Sequence, residues 1–366
     1  MRFSSFKIVL FFCFLMTISE GNAATFFLNG PNVKKYAVTF GECYTDFLPG
    51  SLLRLDVTFK NITSEELLVS QELVVLDSAG VKVWKTIINL DLGHDGSFVV
   101  QLLIPAPGRE GTFTLTAGSG ADQGTGVIPT LLFNVIQPKK SPRLSKILVY
   151  APDPEEGLNA FLKTWGIKAP MFSWAQVLLF GQQSWARYAS GETEIIEQVN
   201  RALRREMSVI FLDFGPPYNT ETLNSKIALP FGVKVSFIPL KSTIQGYVLK
   251  SDNRELTFGL GKEPVRRWNG INGTTNPPMG LVFEGKGVKI RAFATTEGNH
   301  PQHPVVEMVP DNGKGKLYIC QLITNGRLDP GVQPPRDRPE IPAYDPMAVQ
   351  LLLNLISASV GDNLLK

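Results

Sequence analysis

The hydrophobic period changes once along this chain, and that change limits the available folds more than any other feature. In LLRLDVTFKN, residues 52–61, Leu53, Leu55, Val57 and Phe59 alternate with Arg54, Asp56, Thr58 and Lys60. A period of two puts one set of side chains on a core face and the other in water, as in a half-buried strand. Residues 67–92 hold two more such runs, joined at Asp77-Ser78-Ala79-Gly80, a turn composition that predicts a hairpin. Further runs follow at 98–104, 112–116 and 131–136, with Pro105–Gly111 as a proline- and glycine-rich break. About seven short strands with regular turn signals predict an all-β sandwich of two antiparallel sheets over residues 24–137.

Residues 138–144 are polar, basic and interrupted by Pro138 and Pro142, the composition of a linker. Beyond them the period becomes helical between short apolar runs. ILVYAP (147–152), QVLLFG (176–181) and SVIFLDFG (208–215) read as buried strands. PEEGLNAFLKTWG (154–166) and TEIIEQVNRALRREM (193–207) read as helices, the second with Ile195, Ile196, Val199, Ala202 and Leu203 on one face. Thr193 is the expected cap of that helix. Strand–helix–strand alternation implies parallel strands joined by right-handed crossovers, hence a layered α/β domain over 145–366. GKGKLYICQLI (313–323) reads as a late core strand. The last helix has Asp345 at its cap, Pro346 at its first position and Gly361 past its end. Within it Gln350, Asn354 and Ser357 form an interrupted polar edge on an otherwise apolar surface.

Residues 1–23 carry the marks of an export signal: Arg2 and Lys7, an apolar run from Ile8 to Ile18, and small residues at 21–24. That run is shorter than the roughly 20 apolar residues a bilayer span needs, and no later stretch is long enough, so no membrane span is expected. The expected location is periplasmic or extracellular. Without Arg2, Lys7 and Glu20, the 36 bases and 33 acids become 34 against 32. A near-neutral chain lacks the basic footprint of a nucleic-acid binder. Only Cys43 and Cys320 follow the leader, which is no disulfide framework.

IPAPGREGTFTLTAG (104–118) resembles the end of a bacterial immunoglobulin-like or fibronectin-like module. ILVYAP, WGIKAPMFSWAQVLLFG and VNRALRREMSVIFLDFG resemble the class I glutamine amidotransferase-like fold. The likeness is to the non-catalytic versions appended to secreted β-galactosidases of glycoside hydrolase family 2. ELTFGLGKEPVRRWNG, HPVVEMVPDNGKGKLYICQLI and YDPMAVQLLLNLI follow in the order that resemblance implies. An active member of the family places a cysteine on a sharp turn after a strand, activated by a later His and acid. Here that turn falls near Phe214-Gly215-Pro216, which holds no Cys, Ser or Thr, so no catalytic residue is assigned. Cys320, inside a core strand, is expected to be inert.

The remaining candidates are weaker. His300 and His303 with Glu297 lack the three or four converging ligands of a zinc site, so neither metal nor cofactor is expected. Glu155 and Glu156 read better as a solvated helix start than as half of a glycosidase pair. GLGKE and GKGKL lack the full phosphate-loop spacing and read as hairpin turns. In open α/β sheets ligands bind beyond the carboxyl ends of the strands. Asp153, Gln182, Gln183, Trp185 and Tyr218 all follow predicted strands. Asp153, Gln182, Trp185 and Tyr218 form the candidate ligand site: rings for the apolar face of a sugar, amide and carboxylate for its hydroxyls. The competing reading packs Trp185 and Tyr218 against the middle segment or the sandwich. The functional expectation is an exported, non-catalytic binding or scaffolding protein whose partner is carbohydrate or a cell-surface protein. The alternatives are a glycan-acting hydrolase or a purely structural envelope protein.

Overall fold

A computed structural model of the chain describes residues 35–41, 46–118, 129–152, 157–215, 226–239, 247–249, 254–260, 265–266, 279–296, 302–312, 314–329 and 344–360. It is rich in β structure, with four sheets among these residues, and divides into two compact units, Met1–Gln137 and Pro138–Lys366.

In the first unit, β1 (Tyr36–Phe40), β3 (Leu52–Asn61) and β6 (Ser97–Pro105) form one antiparallel sheet in the order β1-β3-β6. The other runs β2 (Asp46–Phe47), β8 (Thr130–Val135), β7 (Gly111–Ala117), β4 (Leu67–Asp77), β5 (Lys82–Leu92). The alternation read in β3 is real: Leu53, Leu55, Val57 and Phe59 are buried while Leu52, Arg54 and Asp56 face out. They share a core with Phe40, Leu73, Val75 and Leu115, in which Phe113 stacks on Phe133 and Phe47 meets Phe133 edge-on. The predicted hairpin between β4 and β5 forms. Asp77 Oδ1 accepts from the amides of Ala79 and Val81, both at 2.9 Å, and Gly80 supplies the φ of +78° the turn needs. Those bonds, with the Arg109 guanidinium beside them, hold the Asp77 carboxyl below its usual range.

The second unit is built on an eight-stranded mixed sheet. Its order is β15 (Val265–Arg266), β14 (Tyr247–Leu249), β17 (Val288–Thr296), β18 (Val305–Pro310), β19 (Lys316–Cys320), β11 (Ser208–Phe211), β10 (Val177–Phe180), β9 (Val149–Tyr150). The last four are parallel, and β19 outward to β15 are antiparallel. β10 and β11 are buried along their whole length, which is why VLLF and SVIF are nearly unbroken apolar runs rather than alternating ones. A small antiparallel sheet joins β12 (Ile227–Ala228), β13 (Lys234–Pro239) and β16 (Met279–Glu284). Helix α1 is Leu158–Thr164, α2 is Gln182–Ala189, α3 is Thr193–Arg204 and α4 is Pro346–Ser359.

Helix α3 buries Ile195, Val199, Ala202 and Leu203, as its spacing requires. The expected cap does not form: Thr193 is already the first helical residue, Glu192 occupies the cap position, and no side chain closes it. The expected cap of α4 does form. Asp345 accepts from the amides of Met347 at 2.8 Å and Ala348 at 3.0 Å, ahead of Pro346.

The polar edge of α4 is buried rather than solvated. Gln350, Asn354 and Ser357 are all essentially inaccessible and bind backbone or acid from elsewhere in the unit. Gln350 accepts from the Lys139 amide at 2.6 Å and donates to its carbonyl at 3.0 Å. Asn354 Nδ2 donates to the carbonyls of Leu256 (2.7 Å) and Phe258 (2.9 Å). Ser357 and Ser141 both donate to Glu255, at 2.5 and 3.0 Å. The stretch read as a linker is therefore tied onto the second unit, where Pro142–Lys146 adopts a 3-10 turn. Gly259, at φ +69°, passes so close that a Cβ would lie 2.9 Å from Gln350 Oε1.

Candidate functional site at the strand ends

The parallel strands deliver three short segments to one end of the sheet: residues 181–185 after β10, 212–215 after β11 and 321–327 after β19. The turn after β11 is the sharp one. Asp213 sits there at φ +51°, a left-handed conformation that costs most L-residues about 1–2 kcal/mol and that Asp adopts more readily than most. Its side chain is buried and faces the segment beyond β19. Thr324 donates both its amide and its hydroxyl, the latter at 2.7 Å, and Asn325 donates its amide at 3.2 Å. One carboxylate thus closes two strand-end turns over each other.

Burial pushes the Asp213 carboxyl above its ordinary range, against the opposing pull of the Thr324 and Asn325 donors and the Arg327 guanidinium. Arg327 lies 4.0 Å from the buried capping carboxylate Asp345. Next to them, burial and then the charge of Asp345 push the Tyr344 hydroxyl well up. Cys320, at the end of β19, is buried, and burial followed by the Asp213 charge drives its thiol far above the usual value. The Asp213 oxygens are taken up by three donors, and a thiol held protonated is not a nucleophile. The solvent-facing part of the cluster is a pair of amides, Asn325 Nδ2 donating to Gln182 Oε1 at 3.2 Å.

Gln182 therefore lies at the strand ends as expected, half-buried at the first position of α2. Trp185 does not form a rim. The segment after β10 is a helix, and Trp185 and Tyr188 point from it into the core. The Trp185 ring centroid is 3.7 Å from that of Phe214, its neighbours include Tyr188 and Phe211, and its Nε1 donates to the Gly215 carbonyl at 2.7 Å. With 2% of its surface exposed, it offers no face to a sugar. Asp153 and Tyr218 lie outside the described residues, as do Cys43, Glu155, Glu156, Glu297 and His300. Among the described residues no three His, Cys, Asp or Glu side chains converge as a metal site, and no helix is long and apolar enough to cross a membrane.

Sequence reading missed Asp213, Thr324, Asn325 and Arg327. The signal was present in SVIFLDFG, where a single acid interrupts a buried apolar run at its carboxyl end. A second buried carboxylate, Glu307 in β18, is held across the sheet rather than at its end. It accepts from Tyr318 at 2.6 Å and from Lys316 at 3.3 Å, with Arg291 at 3.5 Å.

No protein-family model matches this chain, and no curated protein sequence matches it. Solved structures that match in part include a β-glucosidase from Listeria innocua (13% identity, TM-score 0.23), covering 27% of this chain and 16% of that one. A cycloisomaltooligosaccharide glucanotransferase from Paenibacillus sp. matches at 14% identity and TM-score 0.22, over 46% and 27%. A putative β-galactosidase from Bacteroides fragilis matches at 10% identity and TM-score 0.20, over 53% and 39%. The chain thus spans a minor part of each, and similarity this low says nothing of a shared fold or activity.

Proposed function

We propose that this chain is an exported, non-catalytic binding or scaffolding protein, an immunoglobulin-like sandwich followed by an amidotransferase-like α/β unit. The observation that carries the reading is the use made of the turn after β11. The turn expected to hold a catalytic relative's nucleophile, near Phe214-Gly215-Pro216, has no Cys, Ser or Thr here, and the carboxylate of Asp213 just before it accepts from Thr324 and Asn325. Among the described residues Cys320 is the cysteine near this turn; it is buried, and burial drives its thiol well above the usual value. A carbohydrate partner follows from the sequence resemblance to domains attached to secreted β-galactosidases, which is an analogy of fold rather than a site argument. The amides of half-buried Gln182 and exposed Asn325 are described groups at the strand ends suited to sugar hydroxyls.

Affinity electrophoresis against a panel of soluble polysaccharides, with reducing-sugar release measured on the same samples, tests this. Retardation without release, weakened by Asn325→Ala, is the expected result. Release of reducing sugar would replace the binding reading with the hydrolase one, and absence of retardation on every polysaccharide would remove the carbohydrate element.

A further inference from the structure

The opposite, amino-terminal end of the parallel strands carries a surface of different character. The turn before β10 exposes Met171 (73%) and Trp174 (68%), two large apolar side chains three residues apart. The turn itself is well anchored. Phe172 packs edge-on against Tyr150 at 5.6 Å, the Arg205 guanidinium lies 5.8 Å over the Phe172 ring, and Arg205 donates to the Ser173 carbonyl. Leu148 bridges Lys168 and donates its amide to Gln176, which brings residues 146–148 alongside. Met171 and Trp174 are therefore held outward on a fixed base.

The charge around them is one-sided. The neighbouring segments 146–148, 166–176, 201–207 and 314–315 contain six bases and one acid. That acid, Glu206, has Lys314 at 3.7 Å, while Lys146, Lys168, Arg204 and Arg205 are exposed. In a chain whose charges otherwise nearly cancel, this local excess selects an anionic partner. Methionine has neither a flat face nor a strong hydrogen-bonding group to offer a sugar, and the charged groups beside Trp174 are cationic rather than the amide and carboxylate mixture that reads hydroxyls. An indole suits the boundary between headgroups and acyl chains, a thioether suits the apolar side of it, and lysine and arginine suit anionic headgroups.

We propose that the Met171–Trp174 turn and its basic surround dock the protein on the surface of an anionic bilayer, lying on it without spanning it. Residues 24–366, which contain every described residue and omit an apolar leader that would itself bind lipid, are sedimented with phosphatidylcholine vesicles with or without phosphatidylglycerol. Binding to the anionic vesicles, weakened by salt, is expected. Met171→Ser with Trp174→Ser, and separately Lys146→Glu with Lys168→Glu, should each lower the partition coefficient about tenfold or more. All four side chains are exposed, so unchanged urea midpoints would show that the variants fold. The proposal is overturned if anionic vesicles are not bound, if neutral vesicles are bound equally, or if the variants bind as the parent does. It is also overturned if an acidic polysaccharide such as polygalacturonate, and no vesicle, is bound in a manner sensitive to these substitutions.

Discussion

Replacing Asn354 by Leu would test whether the buried polar edge of α4 is a structural rail or an incidental interruption. Asn354 donates to Leu256 and Phe258 at 2.7 and 2.9 Å, and its Oδ1 accepts from Gln350 at 2.9 Å. Leucine keeps the heavy-atom count and branching of the side chain, though it is bulkier, and removes all three bonds. At about 1 kcal/mol net for each bond, with more for groups left buried without this partner, the loss is about 3–5 kcal/mol. Burial of the added apolar surface returns about 1–2 kcal/mol, leaving a destabilisation of about 2–3 kcal/mol. Asn354→Asp should cost more, because it aims a charged oxygen at two carbonyls that need a donor. Urea unfolding followed by tryptophan fluorescence would read this out. A loss of 2–3 kcal/mol at a slope of about 2–3 kcal/mol/M lowers the midpoint by about 1 M. If the Leu variant matches or exceeds the parent in stability, or Asp is no worse than Leu, the rail does not hold the 139–143 and 255–258 segments and the reasoning fails.

Trp185→Ala should destabilise the second unit by about 3–5 kcal/mol, because it empties a site packed by Phe214, Tyr188 and Phe211; a change below about 1 kcal/mol in urea unfolding would return Trp185 to the surface. Asp213 has its folded-state carboxyl raised by burial, so its preference for the folded state is fully present below the unfolded value and fades as pH rises through the folded one. Asp213→Asn cannot titrate, so its stability relative to the parent should improve between acid and neutral pH; a gap that instead widens against Asn would show the carboxylate to be favoured in its charged form. Cys320 should react with a thiol reagent only on unfolding, and rapid labelling of the native protein would contradict its burial.

Much of the fold was legible because burial writes a period into the sequence. β3 alternates because one face of its sheet is wet, and β10 and β11 do not because both faces are covered. The α4 cap was legible since Asp-Pro at a helix start has a direct chemical meaning. Helix α2 was hidden by its length: eight residues, with only Trp185 and Tyr188 marking the apolar side, give too little periodicity to separate from a loop. That omission left a core tryptophan among the rim candidates, beside the competing reading, which packs it inside. The polar edge of α4 was visible, but its partners lie 96–211 residues away in sequence, and no local pattern pairs them. Asp213 was hidden for the same reason, since its donors lie 111 and 112 residues on.

Amide hydrogen exchange at Thr324 and Asn325 tests most directly whether the strand-end turn is a closed latch rather than an open catalytic elbow. Both amides point at Asp213, so the parent protein should protect them nearly as well as the β19 strand itself. Asp213→Ala should expose them while leaving β19 protected. Rapid exchange of both amides in the parent, at the rate of an open loop, would mean that Asp213 is free to face a ligand and that the non-catalytic reading is wrong.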